Sequence, residues 1–279
     1  ILLLIGLLLT LRITHWYLLD QGSKTIAKQS EKQLNELVIF IDNALAHYEN
    51  IPAVLAKNPI LEQGLLDQQN PATISSLNAY LSELQQVTES SDIYLTDALG
   101  VAIAASNWDK PNSFINHDYS FRPYFIEAIS GRSGRYYAVG TSSNKRGFYF
   151  ANPVYHKNVV IGVVVVKVDI SQIEQQSTGI AIASQYEFMI SDPDNIVFLS
   201  SVSSWRFNSL SPLSQAKRFA LNSSKRYANM PIGELSFKPA FIKAEPNQTQ
   251  VYQISSYEGN EQYLERHQLM PNANWSVHI

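Results

Sequence analysis

The run Val160-Ile161-Gly162-Val163-Val164-Val165-Val166-Lys167-Val168-Asp169 decides how this chain is read. Its valines ask to be buried and the lysine among them does not, because an ammonium taken out of water without a partner costs far more than one contact returns. Strand side chains alternate, so Lys167 shares a face with Val163, Val165 and Asp169, while Val164, Val166 and Val168 line the other. A sheet with one face on a hydrophobic core and the other on a small polar pocket reconciles the two demands. Lys167 is then one clamp of an anion site. The competing reading has it pairing with Asp169 or reaching the sheet margin on its long stem.

Working outward, strands are expected at 93–96, 101–105, 135–139, 147–153 and 160–169, with Asp97-Ala98-Leu99-Gly100 as a hairpin turn. The polar stretch from Ser106 to Tyr119 reads as a loop. Ser120 can cap a short helix over 122–129 that stops at Gly131, and 171–176 reads as a connector. Upstream, Leu34, Leu37, Ile41, Leu45 and Tyr48 recur at three and four, which predicts a helix from 23 to about 50 that serves as stalk and spine. Pro52 and Pro59 break or kink the chain beyond it, with a short helix at 60–66. A second helix fits 73–87, its buried stripe being Leu77, Leu81 (or Tyr80), Leu84 and Val87. Downstream comes a weaker copy of the same order. It has strands at 186–191 and 196–200 around Asp192-Pro193-Asp194-Asn195, a helix at 214–221, and strands at 234–237, 240–244, 250–255 and 275–279.

The first eleven residues, Ile1 to Leu11, are apolar but for Gly6 and Thr10, and at 1.5 Å each reach about half of a roughly 30 Å hydrocarbon core. Trp16 and Tyr17 stand where an interfacial aromatic belt would lie, and no Ala-x-Ala-like cleavage site comes after them. The outer half of a membrane anchor is therefore expected rather than a signal peptide. The absence of an initiating Met and a last strand running to Ile279 suggest a piece of a longer protein. The expected division is a partial anchor over 1–20, a stalk helix and helical bundle over 21–90, a first sheet domain over 91–180 and a second over 181–279.

Composition narrows the chemistry. The 279 residues carry a net charge of -3 with 16% charged residues and no dense Lys/Arg stripe, which argues against nucleic acid. With no cysteine, disulfides, thiolate catalysis and cysteine-ligated metals are excluded. The six histidines fall in no His-x-x-x-His spacing, so neither a metal nor another cofactor is expected. Ser214-Gln215-Ala216-Lys217 matches a Ser-x-x-Lys pattern whose companion motifs are missing, and reads as chance.

Four pieces converge on one candidate site: Tyr119-Ser120-Phe121-Arg122-Pro123-Tyr124-Phe125, Gly134-Arg135-Tyr136-Tyr137-Ala138, Gly140-Thr141-Ser142-Ser143, and Lys167. Arg122 and Lys167 supply two cations, Thr141, Ser142 and Ser143 supply hydroxyl and backbone donors, and Tyr119 and Tyr137 supply phenols. Such a set suits a small molecule with two carboxylates. Taken singly, Arg122 could pair with Asp118, Tyr137 could be sheet core, and 140–143 could be an ordinary turn.

The same residues, with Arg146-Gly147-Phe148-Tyr149-Phe150-Ala151 and Gly162 to Asp169, carry a resemblance to the periplasmic sensor region of the C4-dicarboxylate transport sensor histidine kinases. It is close over about 115–175. The resemblance implies an α+β fold: a long N-terminal helix followed by tandem PAS-like (double Cache) domains, each a five-stranded antiparallel sheet with flanking helices. It also implies that succinate, fumarate or malate binds in the membrane-distal domain on Tyr119, Arg122, Ser142, Ser143 and Lys167, with Thr141 and Tyr137 as wall residues. The chain would then be the non-catalytic, periplasmic ligand-sensing region of a two-component kinase in the bacterial inner membrane, a homodimer at full length, with room for a transporter as a partner. Two alternatives stand beside it: the ligand-binding domain of a chemotaxis receptor for organic acids, and a periplasmic hydrolase using His117 or Ser142.

Overall fold

Asp97 and Asp192, 95 residues apart, build the same turn. The first carboxylate accepts from the N–H groups of Leu99 and Val101, both at 2.9 Å, and the second from those of Asp194 at 2.8 Å and Ile196 at 3.0 Å. The pairing beneath each turn repeats as well. Ser106 Oγ accepts from Ile93 N–H, and Ser201 Oγ accepts from Phe188 N–H, at 2.9 Å in both. The expected internal repeat is thus present at its opening hairpins, built by Asx turns that a short polar side chain makes locally.

A computed structural model describes residues 2–228, 230–235, 237–239, 249–256, 259–270 and 272–279. Helix α1 (Leu2–Glu49) is longer than the expected stalk and continuous with the apolar N-terminal stretch; Leu34, Leu37, Ile41 and Leu45 of the predicted stripe are buried. Among the described residues no helix is long and apolar enough to cross a membrane. The prolines open helices rather than merely ending one: Pro52 lies in the first turn of α2 (Ile51–Leu55) and Pro59 starts α3 (Pro59–Leu66), where a missing N–H is no loss. Asn58 and Asn70 cap α3 and α4 (Pro71–Thr88) by accepting from Ile60 N–H and Ala72 N–H. In α4, Leu77 and Leu81 are buried as expected, but Val87 is 75% exposed in the last turn before the left-handed cap at Glu89.

Strands β1 (Asp92–Asp97), β2 (Ala102–Ala105), β3 (Gly134–Val139), β4 (Arg146–His156) and β5 (Val159–Asp169) form an antiparallel sheet in the order β2-β1-β5-β4-β3. Helix α5 (Pro123–Ile129) lies between β2 and β3 in the chain. Asp169 accepts from Ser171 N–H at 2.8 Å at the start of α6 (Ile170–Ala183), a 14-residue helix where a connector was expected. Its buried Ile170, Ile173, Ser177 and Ala181 recur at three and four, a signal that its polar Gln and Ser residues obscure in the sequence.

The second sheet has six strands where five were expected, in the order β10-β11-β12-β13-β6-β7. They are β6 (Met189–Ser191), β7 (Val197–Ser200), β10 (Phe237–Pro239), β11 (Thr249–Ser256), β12 (Gly259–Met270) and β13 (Trp275–His278), with a small parallel pair, β8 (Asn208–Ser209) and β9 (Gly233–Glu234), beside them in the chain. Strand β12 was not expected: its Glu, Gln, Arg and His content hides the alternation. The strand expected at 240–244 lies outside the described residues. Helix α7 (Gln215–Ser224), capped by Ser214, falls where a helix was predicted.

The chain divides into two compact units. One holds 1–40, 177–211 and 233–279; the other holds 41–176 and 212–232. Against an expected boundary near 180, the α7 segment thus groups with the first sheet.

Candidate functional site

The alternation along β5 separates two environments. Val164 and Val166 join a cluster with Leu55, Leu61, Leu65, Leu77 and Leu81 from α2, α3 and α4. Val163 and Val165 join one with Tyr94, Phe114, Tyr119, Tyr124 and Tyr149. Lys167 stands on this second, tyrosine-rich face and is fully buried.

Its partner is neither Asp169 nor solvent. Antiparallel register sets Asp92 of β1 directly across from Lys167 on one side and Tyr149 of β4 on the other. Lys167 Nζ donates to Asp92 Oδ2 at 3.3 Å and to Ser143 Oγ at 3.1 Å, and lies 5.5 Å from the Phe114 ring centroid. Burial lowers the Lys167 pKa, and the Asp92 charge opposes that shift without cancelling it. Gly147 makes room for the stem: a Cβ there would stand 2.9 Å from Lys167 Cε.

Arg122, 2% exposed, occupies the N-cap position of α5. Its guanidinium donates to the carbonyls of Val139 and Lys225, each at 3.1 Å, and stacks 5.0 Å from the Phe121 centroid. Lys225 is the left-handed C-cap of α7, so the cation meets the negative end of that helix. Asp118 instead accepts from Ser120 N–H at 2.7 Å, and among the described residues no carboxylate pairs with Arg122.

The segment 139–143 joins these groups. Val139 supplies the carbonyl to Arg122, Ser142 Oγ meets Tyr119 Oη at 2.9 Å, and Ser143 receives Lys167. Burial pushes the Tyr119 phenol up to about 12, with the Ser142 hydrogen bond and Arg122 pulling the other way. Tyr94 and Tyr124 share a 2.6 Å hydrogen bond, and Tyr124 stacks on Tyr149 at 5.1 Å and 11°. Burial raises the pKa of both Tyr94 and Tyr149, so these hydroxyls stay protonated as donors.

Five of the seven expected residues are therefore brought together: Tyr119, Arg122, Ser142, Ser143 and Lys167. Thr141 is exposed and makes no side-chain hydrogen bond among the described residues. Tyr137 alternates with Tyr136 and Ala138, which side with the tyrosine cluster, and its buried ring tilts against Tyr227 at 6.1 Å. The sequence did not disclose Asp92, Tyr149, Phe114 or the Lys225 carbonyl. Strand register alone could have found the first two. A separate open cleft of about 370 Å³ along α7, lined in part by Leu213, Arg218, Leu221 and Ile232, includes none of the seven.

The set can do one thing well: hold an anion. It holds two buried cations, of which only Lys167 has an ion partner, together with hydroxyl donors at Tyr119, Ser142 and Ser143.

Comparison with known proteins gives the family. Residues 18–279 match the Cache domain family. The C4-dicarboxylate transport sensor protein DctB of Pseudomonas aeruginosa is 32% identical over 257 residues, covering 92% of this chain and 38% of that protein. The protein of the same description from Rhizobium meliloti is 30% identical over 228 residues, 81% of this chain and 36% of that one. The chain thus spans under two fifths of the length of these curated relatives. The crystal structure of the V. cholerae histidine kinase DctB sensor domain superposes with a TM-score of 0.82 at 30% identity, covering 91% of this chain and 96% of that one.

Proposed function

This chain belongs to the Cache domain family and to the DctB-like sensor regions within it, and from that premise we propose that it binds a C4-dicarboxylate outside the cytoplasm and signals its presence to a histidine kinase. The observation that carries the reading is Arg122: a buried guanidinium held by carbonyls and an aromatic face, with no carboxylate among the described residues to balance its charge. Leaving such a charge uncompensated costs several kcal/mol, and an arriving carboxylate removes that penalty. Lys167, Ser142, Ser143 and Tyr119, tied to Arg122 by the segment 139–143, supply donors for a second carboxylate. The names of the curated relatives point to the same ligand class.

In the whole protein, α1 would lead from a membrane anchor, the sensor would face the periplasm, and the output would be phosphotransfer by a domain outside this chain, working as a homodimer. Calorimetric titration of the purified chain with succinate, fumarate and malate, beside monocarboxylate controls, tests the binding. A dissociation constant between micromolar and low millimolar is expected, about 4 to 8 kcal/mol. Absence of heat and of thermal stabilisation with every dicarboxylate overturns it, as does equal binding of monocarboxylates.

A further inference from the structure

We propose that Glu265, His267 and His278 form a binding site for a first-row divalent transition ion of the Zn(II) class. No sequence spacing announces it, because the site spans two strands. Glu265 and His267 are two apart on β12 and so share a face, and register sets His278 of β13 directly across from His267. One carboxylate oxygen, Glu265 Oε1, lies 3.0 Å from His267 Nδ1 and 2.8 Å from His278 Nδ1. The ligand atoms of all three residues lie within 4.8 Å of one another.

These separations are near those a metal needs. An ion about 2.0–2.1 Å from each donor, in tetrahedral geometry, holds donors about 3.3 Å apart. Binding therefore asks for small side-chain shifts, with the ion taking the place that the Nδ1 protons hold against Glu265. Each imidazole would then carry its proton on Nε2. For His278 that proton has an acceptor waiting: Ser191 Oγ, 3.2 Å from Nε2. Such an outer partner fixes ring orientation and tautomer in metal sites. The site is half enclosed, since Glu265 and His278 are largely buried while the His267 side chain is 49% exposed, leaving a path in and room for a water as fourth ligand.

No cation of β12 competes for the carboxylate. Arg266 points to the opposite face, where it donates to the Ala27 carbonyl at 2.7 Å and pairs with Glu31 at 3.2 Å. Two imidazoles and one carboxylate favour Zn(II), Ni(II) or Cu(II) over the all-oxygen preferences of Mg(II) and Ca(II). The inference stands apart from the dicarboxylate reading, since every residue in it belongs to the unit that holds the second sheet.

The test uses the tag-free chain stripped with EDTA, titrated with Zn(II) by calorimetry and with Co(II) by visible absorption. One ion per chain is expected, together with a rise in melting temperature and Co(II) bands typical of four or five N/O ligands. His267→Asn, at an exposed position, should weaken binding at least about a hundredfold, and Ser191→Ala about tenfold, the latter being the range for an outer partner. Glu265→Gln should behave like His267→Asn; should that variant fail to fold, His267→Asn decides alone. Absence of Zn(II) binding overturns the proposal, and so does binding that survives His267→Asn or that Mg(II) displaces at equal concentration.

Discussion

On one face of β5, Val164 and Val166 meet the leucines of three helices; on the other, Val163 and Val165 lead to Lys167 among four tyrosines. The same strands thus carry two kinds of surface. The leucine face makes no demands: each buried leucine adds about 1.5–3 kcal/mol by leaving water, wherever its neighbours sit. Every polar atom of the tyrosine face needs a partner at a set place, and of the two buried cations there only Lys167 has an ion partner, Asp92. That penalty is of the order of what a few leucines return. One face keeps the sheet folded so that the other can hold charge ready for a ligand.

The comparison breaks most sharply if the faces do not separate under mutation. Leu77→Ala, at a fully buried position on the leucine face, should lower the unfolding free energy by about 2–5 kcal/mol. The succinate dissociation constant of the folded fraction should stay within about twofold. A shift in affinity as large as the shift in stability, by denaturation and calorimetry on the same preparation, would show that the leucine side shapes the pocket directly.

Arg122→Ala should do the reverse. Affinity for succinate should fall by at least about thirtyfold, roughly 2 kcal/mol, because a charge-assisted pair is lost. The unfolding free energy of the empty protein should move by no more than about 1 kcal/mol, since relief of a buried charge offsets the hydrogen bonds to Val139 and Lys225. Unchanged affinity would make Arg122 a structural tie between α5 and α7 and nothing more.

Titration sharpens the contrast. Lys167 has a folded-state pKa below its ordinary 10.5, so between the two values the unfolded chain binds more protons. Its contribution therefore makes the empty protein more stable as pH rises through that window. The buried tyrosines work in the opposite direction: Tyr94, Tyr119 and Tyr149 have raised pKa values, so stability they lend is lost above the ordinary phenol value of 10.0. Denaturant melts from neutral pH to below 10 should show the Lys167 rise in the parent and not in Lys167→Met. Dicarboxylate affinity should fall over the same range, because the ligand favours the charged amine. A parent and a Lys167→Met variant with parallel pH profiles would place the lysine in solvent.

What the sequence disclosed and what it hid divide along the same line. A charge inside a valine run is visible without a structure, so Lys167 and the two-faced strand were legible, as were the Asp-led turns at Asp97 and Asp192. The partner of that charge was not. Asp92 reaches Lys167 only because β1 and β5 pair in one register, and a shift of one residue would turn it to the leucine face. Arg122 was legible as a cation beside a helix start, yet its carbonyl acceptor at Lys225 lies over a hundred residues on, in a segment that groups with the first sheet. Glu265, His267 and His278 were missed for the same reason as Asp92: a cross-strand pair has no fixed spacing in sequence. Val87 failed differently: it lies inside the helix as predicted, yet its side chain is exposed, two residues before the left-handed cap.

The smallest expected effect asks what the acid paired with Lys167 is for. Asp92 is the ion partner of Lys167, and Asp92→Asn keeps its size and one acceptor oxygen while removing the charge. The empty site would keep both cations and lose the carboxylate that pairs with Lys167. A dianion should then bind somewhat better, by about 1 kcal/mol or less, because the neighbouring charge is partly screened by the phenols and solvent at the site's edge. The empty protein should lose stability, since Lys167 stays buried without its ion partner. Adding Lys167→Met to Asp92→Asn should restore that stability, because neither member of the pair is then left as a lone charge. Lys167→Met alone should not, as it strands Asp92 instead. If Asp92→Asn weakens binding while the double variant is no more stable than either single one, the acid acts chiefly by aiming the lysine at the ligand. The tyrosine face would then be ordered by geometry more than by its excess of positive charge.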